Sequence, residues 1–169
     1  MSERASGGER VRNQPGPASG LRAAAGSELR AMNEIVPDSD RPAESTLRRG
    51  LERRMDFEVG DRLVTDVGGS IGVRVLSTPG MIAMMERNSA LLAYENLPQG
   101  KATVGFEVCV RHVAAAAEGA TCTVRSRLGE ILDRRKLRFE VEVREAERTI
   151  GVGTHERRVI DVGAVKSAG

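Results

Sequence analysis

Sustained hydrophobic periods begin at Phe57, and the residues before it show none. FEVGDRLVTDV, from Phe57, predicts a first strand. GGSIG at 68–72 predicts a turn or loop, and VRVLS leads into a predicted helix over 79–94. In that helix Met81, Ile82, Met84, Met85, Leu91 and Leu92 spread around nearly the whole circumference, which predicts a buried helix. Thr78 is suited to cap it and Pro79 to occupy its first position. Four long alternating segments follow, at 102–113, 120–132, 136–146 and 149–161. In the third, Leu137, Phe139, Val141 and Val143 share one parity while Arg138, Glu140, Glu142 and Arg144 share the other. That is the pattern of an antiparallel sheet with one solvated face. In the first, Val104, Phe106, Val108, Val110 and His112 share the inward parity. EGA at 118–120 and EAER at 145–148 read as hairpin connections, so the four strands are expected to run as a meander. One buried helix and five antiparallel strands predict an α+β domain with the sheet curled around the helix. The edge strand this leaves would be protected by pairing with a second copy.

Residues 1–55 read as a disordered or partly helical leader, 56–163 as the folded domain and 164–169 as a short tail. The leader is rich in Gly, Ala, Ser, Pro, Arg and Glu, too polar to bury a core of its own. Within it, AESTLRRGLERRM at 43–55 could form a short amphipathic helix with Leu47 and Leu51 four apart, weakened by Gly50. The leader has ten arginines against eight acids, so it carries the whole net charge of +2 and the rest of the chain is formally neutral.

Composition narrows the function. Of 169 residues 40% are apolar and only 2% aromatic, so the core must be aliphatic. A net charge of +2, with arginines interleaved among acids, does not point to nucleic acid. No run of about 18 apolar residues is present to span a membrane, and the N-terminus lacks an apolar signal region. The expected setting is cytoplasmic. Cys109 shares parity with Glu107 and Arg111 and is expected to face outward. Cys122 reads as a small core residue, and the two form no CxxC pair. Two histidines this different in context assemble no metal cluster, so neither a metal nor a redox cofactor is expected.

Three polar residues stand out against apolar surroundings. Thr78 opens the helix, Glu86 lies two turns into it, and His112 ends the strand that follows. A hydroxyl, a carboxylate and an imidazole aimed into a core are costly unless they serve one another, and together they can activate a nucleophile or a water. The free amides of the first helical turn, those of Gly80 and Met81 among them, could receive a developing oxyanion, with Met81 and Met85 lining an acyl pocket. Glu86 could instead share a polar stripe with Arg87 and Asn88. His155, in GTHER, reads as structural. Gly151 and Gly153 read as positions of close backbone approach within a strand.

The stretches TPGMIAMMERNS, VGFEVCVRHVAAAAEGATCTV and GVGTHERRVID resemble the fluoroacetyl-CoA-thioesterase-like branch of the hotdog thioesterases, over roughly Phe57 to Val162. The resemblance implies a hotdog fold, a homodimer and hydrolysis of an acyl-CoA, CoA being part of the substrate and not a cofactor. It also implies that Thr78, Glu86 and His112 are the catalytic set, with His112 as general base. GGSIGVRVLS carries no aromatic where a lid over a fluoroacetyl group is expected, so a generic short- or medium-chain acyl-CoA is the expected substrate. A non-catalytic acyl-thioester-binding hotdog protein and a hotdog hydratase or dehydratase are the competing readings.

Overall fold

A computed structural model describes residues 36–60 and 62–166. These residues form seven strands: β1 Glu52–Glu58, β2 Val64–Thr65, β3 Val75–Leu76, β4 Lys101–His112, β5 Thr121–Leu132, β6 Lys136–Glu145 and β7 Arg148–Asp161. The long helix α1, Thr78–Glu95, lies between β3 and β4, and a short helix, Val162–Lys166, follows β7. Five strands make one antiparallel sheet in the order β1-β5-β6-β7-β4, while β2 and β3 pair as a small separate ribbon. The α+β arrangement of one long helix against five antiparallel strands is the one expected.

Three local expectations are corrected. The 43–55 segment is not helical, and β1 starts at Glu52, inside the region assigned to the leader. Gly50 adopts φ 88°, a left-handed turn that delivers the chain into β1, and Met55 is then core at 1% exposure. FEVGDRLVTDV is accordingly split between the end of β1 and the β2 ribbon. The four long strands are also not a plain meander. β5, β6 and β7 are consecutive hairpins, but β4 pairs with β7 at the far edge, so residues 113–120 cross over instead of turning back. That crossover is stitched to the rest of the domain by Leu76 N to Ala116 O at 2.8 Å and Val59 N to Ala120 O at 2.9 Å. Alternation reports which face a residue takes, not which strand lies beside it.

The third correction concerns β4. Its ladder with β7 shifts between Gly105 and Glu107, leaving Phe106 as an extra residue. One inserted residue reverses the parity of everything before it. Val108, Val110 and His112 are partly buried as expected, whereas Val104 and Phe106 are 46% and 58% exposed. Thr103 and Gly105 take the inward positions instead, against Arg157 and Glu86 respectively.

The helix is seated closely and in one rotation. Its buried positions, Met81, Met85, Asn88, Ser89 and Leu92, recur at three- and four-residue spacing. Met81, Met85 and Leu92 share one core cluster with Leu128, Leu137, Phe139, Val143 and Ile150 of the sheet. Asn88 is buried rather than part of a wet stripe. Its Nδ2 donates to Arg53 O (3.0 Å) and Ser126 Oγ (2.9 Å), and its Oδ1 accepts from Arg53 Nη1 (2.9 Å). A side chain this polar tolerates burial only with its bonds made, so these partners specify the helix's rotation. Gly151 lets β7 come up to Met81, since an added Cβ would overlap the Met81 sulfur. At Gly153 an added Cβ would strike the Cys109 carbonyl and Val110 of the neighbouring strand. Close approach is the role both glycines were expected to have.

The two obstacles differ in softness, and this yields a prediction. Gly151→Ala meets a flexible thioether, whereas Gly153→Ala meets backbone. Both should destabilise in the range of about 1–3 kcal/mol for overpacking, with Gly153→Ala the worse. Urea unfolding of the two variants checks the order, and equal or reversed losses would contradict it.

Candidate active site

The segment Leu76-Ser77-Thr78 delivers the first site residue. Ser77, not Thr78, is the helix N-cap: its Oγ accepts from Gly80 N at 3.0 Å and donates to Leu63 O at 2.8 Å. Thr78 is thereby moved to the first helical position with its hydroxyl free of capping duty. That hydroxyl lies 3.1 Å from His112 Nδ1. His112 reaches it because β4 ends beside the helix start, where His112 pairs with Gly151. The other ring nitrogen, Nε2, is buried and has no hydrogen-bond partner among the described residues. The imidazole therefore has one nitrogen on the threonine and the other unspent, an arrangement able to move a proton to or from a reacting group.

The expected oxyanion donors are not available. Gly80 N is taken by Ser77 Oγ, and Met81 N donates to Ser77 O at 2.9 Å. Pro79 has no N–H to offer. Gly80 serves packing instead, since an added Cβ would collide with the Leu63 backbone. Met81 and Met85 are fully buried on the sheet side of α1, where they fill the core.

Glu86 does not join Thr78 and His112 within the chain. Eight residues of α-helix advance about 12 Å, and both residues are held by the same helix. Glu86 instead projects over β4 and β7, where an added Cβ at Gly105 would fall 2.7 Å from its Oε1. Its side chain is 42% exposed.

Beneath it lie His155, expected to be structural, and Arg157. His155 has no exposed surface, and Arg157 is 7% exposed. His155 Nδ1 is 2.9 Å from the Glu107 carbonyl, which can only accept, so this nitrogen carries the proton. Nε2 is then a lone pair and accepts from Arg157 Nη1 at 2.9 Å. Burial drives the ring toward neutrality, and the adjacent Arg157 charge adds to that. The 3.7 Å approach of Glu86 Oε1 to His155 Nε2 is for this reason not an ion pair. Arg157 also donates to Thr103 Oγ1 (2.9 Å), Thr103 O (3.1 Å) and Glu86 O (3.5 Å). Burial lowers the Arg157 pKa, while the Glu86 charge acts the other way. Glu156 points to the other face and pairs with Lys136 (2.5 Å) and Arg138 (2.6 Å) across the sheet. Strand parity in the sequence did not mark them, because Ile150, Val152 and Ile160 hold the opposite parity. The ladder with β6, which sets His155 opposite the buried Phe139, is what turns His155 and Arg157 inward. Cys109 is exposed as expected, and burial pushes the Cys122 thiol up to about 11, which leaves it inert.

A neutral buried imidazole makes stability depend on pH with a definite sign. Below the ordinary imidazole value of 6.5 the unfolded chain binds a proton that the folded ring resists. The contribution is full above that value and is lost as pH falls below it. Between pH 7 and 5 the protein should lose more unfolding free energy than His155→Gln, by up to about 1.4 kcal/mol per pH unit for one proton. Denaturant unfolding at several pH values checks this, and parallel curves for the two proteins would mean the ring is charged in the fold.

Comparison with known proteins follows the same outline. The family model described as fluoroacetyl-CoA-specific thioesterase matches residues 59–163. A curated relative, the fluoroacetyl-CoA thioesterase of Streptantibioticus cattleyicolor, is 35% identical over 86 residues, 51% of this chain. The chain spans 61% of that relative's length. The solved structure of the fluoroacetyl-CoA thioesterase FlK superposes with a TM-score of 0.65 at 28% identity, covering 73% of this chain and 96% of that one. A variant of FlK in complex with fluoroacetate and CoA superposes at 0.64 with 28% identity, covering 70% and 99%. A hot-dog-like protein from Thermanaerovibrio acidaminovorans, 19% identical, shares the fold with a TM-score of 0.66 over 72% of this chain and 90% of its own. With 105 consecutive residues matched and the Thr78–His112 pair in place, the chain has the hotdog fold and belongs to the fluoroacetyl-CoA-specific thioesterase family.

Proposed function

We propose that the protein is an acyl-CoA thioesterase that hydrolyses a short- or medium-chain acyl-CoA to the free acid and CoA, acting in the cytoplasm as a homodimer. The observation that carries the reading is the 3.1 Å contact between Thr78 Oγ1 and His112 Nδ1, with His112 Nε2 unpartnered among the described residues. His112 serves as general base, drawing a proton from Thr78 or from a water that Thr78 holds. FlK, the similar protein solved in complex with fluoroacetate and CoA, supports an acyl-CoA as substrate class. The hairpin before Thr78 has no aromatic residue, which supports an acyl group other than fluoroacetyl specifically.

Glu86 enters this site from a second copy. β4 is an edge strand with Val104 and Phe106 exposed on it, and an open edge of this kind is satisfied by pairing. Antiparallel pairing of two β4 strands about Val108–Cys109 opposes residue 105 of one copy to residue 112 of the other. The partner's Glu86, which stands over the partner's Gly105, then approaches Thr78 and His112. Three residues that one chain keeps two helical turns apart thereby form one site, repeated twice under the dimer's symmetry.

Release of free thiol from a panel of acyl-CoAs tests the reaction. Some short or medium ester should be hydrolysed, and His112→Ala should lower kcat/KM at least about a hundredfold, as loss of a general base does. Acyl-CoA binding without thiol release from any ester would turn the reading to a non-catalytic binder. Mixing tests the shared site. His112→Ala and Glu86→Gln proteins, each inactive alone, should on subunit exchange recover about a quarter of wild-type activity, because half the dimers then hold one intact site of two. No recovery after verified exchange would place all three residues in one protomer.

A further inference from the structure

We propose that Arg157 and His155 are positioning residues for Glu86: the buried guanidinium stabilises the carboxylate through space, and His155 occupies the near guanidinium nitrogen so that the carboxylate oxygens stay free. The proposal rests on the thioesterase reading, in which Glu86 meets the reacting groups.

A buried arginine normally satisfies a carboxylate directly, in a two-pronged pair. Here the partners of Arg157 are Thr103 Oγ1, Thr103 O, His155 Nε2 and the backbone oxygen of Glu86, all formally neutral. Neutral acceptors satisfy the donors but not the charge, and a charge this buried needs an opposite one nearby. Glu86 is that charge, and its field acts on Arg157 in the stabilising sense. Electrostatic stabilisation is mutual, so the guanidinium holds the carboxylate as the carboxylate holds it. Yet among the described residues no side chain hydrogen-bonds either carboxylate oxygen of Glu86. The reason is His155. Its Nδ1–H is fixed on Glu107 O, which turns the Nε2 lone pair toward Arg157 Nη1 and leaves the ring nothing to donate to Glu86 Oε1 at 3.7 Å. Charge is thus supplied without a hydrogen bond. A carboxylate held this way keeps its lone pairs for a water, a threonine hydroxyl or an imidazolium arriving from across the site. In a direct Arg–Glu fork those lone pairs would be spent in the resting enzyme.

A double-mutant cycle on thiol release separates this from a role in stability alone. Arg157→Met should lower kcat at least about tenfold with KM within about threefold, and in a Glu86→Gln background the same change should cost less than about twofold. Equal losses in both backgrounds, or wild-type kcat for Arg157→Met, overturn the proposal while leaving the thioesterase reading intact. Should Arg157→Met fail to fold, the His155 pair decides. His155→Leu frees Arg157 to close on Glu86 and should cost kcat at least about tenfold. His155→Gln, which offers an oxygen near the Nε2 position, should be at least about fivefold more active than His155→Leu. Equal activities for the two would overturn the spacer role. Imidazole 15N shifts of the wild-type protein give a readout free of turnover. A neutral Nδ1–H ring at His155 is expected, and a protonated Nε2 would sink the proposal even if no acyl-CoA were hydrolysed.

Discussion

The seating of α1 on the sheet is the constraint from which the rest of the structure follows. Gly151 admits Met81 at one end, and the bonds among Asn88, Arg53 and Ser126 stop the helix from turning further along. With height and rotation both set, Thr78 arrives at the end of β4 where His112 waits, and Glu86 arrives over Gly105. A helix seated by apolar contact alone could slide or rotate by a fraction of a turn at little cost. A buried amide with its partners in place cannot, because every shift leaves an unpaired polar group in the core.

The two histidines show how differently one side chain can be used. His112 has one ring nitrogen on the Thr78 hydroxyl and the other buried without a hydrogen-bond partner among the described residues. His155 has both nitrogens committed, is sealed from water and is driven toward neutrality by burial. The hydrogen-bond partners separate them, and the difference comes from the neighbours rather than from the imidazole. The same reasoning applies to the polar residues of the helix. Glu86 keeps its carboxylate open, whereas Asn88, two residues on, is wholly enclosed and structural.

Much of the fold was legible because the chain is locally consistent. The helix, the four long strands and the outward parity of Cys109 all follow from periods of 3.6 and 2. Thr78, Glu86 and His112 were legible as polar groups in apolar company, and the Thr78–His112 contact joins two of them. The cap is Ser77 and not the expected Thr78: the two carry equivalent hydroxyls, and the backbone decides, since Ser77 is extended (φ −79°, ψ 154°) while Thr78 is already helical. Gly80 and Met81 were assigned an oxyanion role on the rule that first-turn amides are free. Ser77 had already taken both.

The amino-acid sequence alone determined the long helix, the four long strands and the candidate reactive groups, because each is a property of neighbours along the chain. Tertiary structure alone decided the placement of β4 beside β7, the reversal of parity at Phe106, and the burial of His155 and Arg157 under Glu86. Each of these depends on residues about 40 or more positions apart. A bulge appears only against its partner strand, and a buried charge shows its purpose only when the group above it is in place.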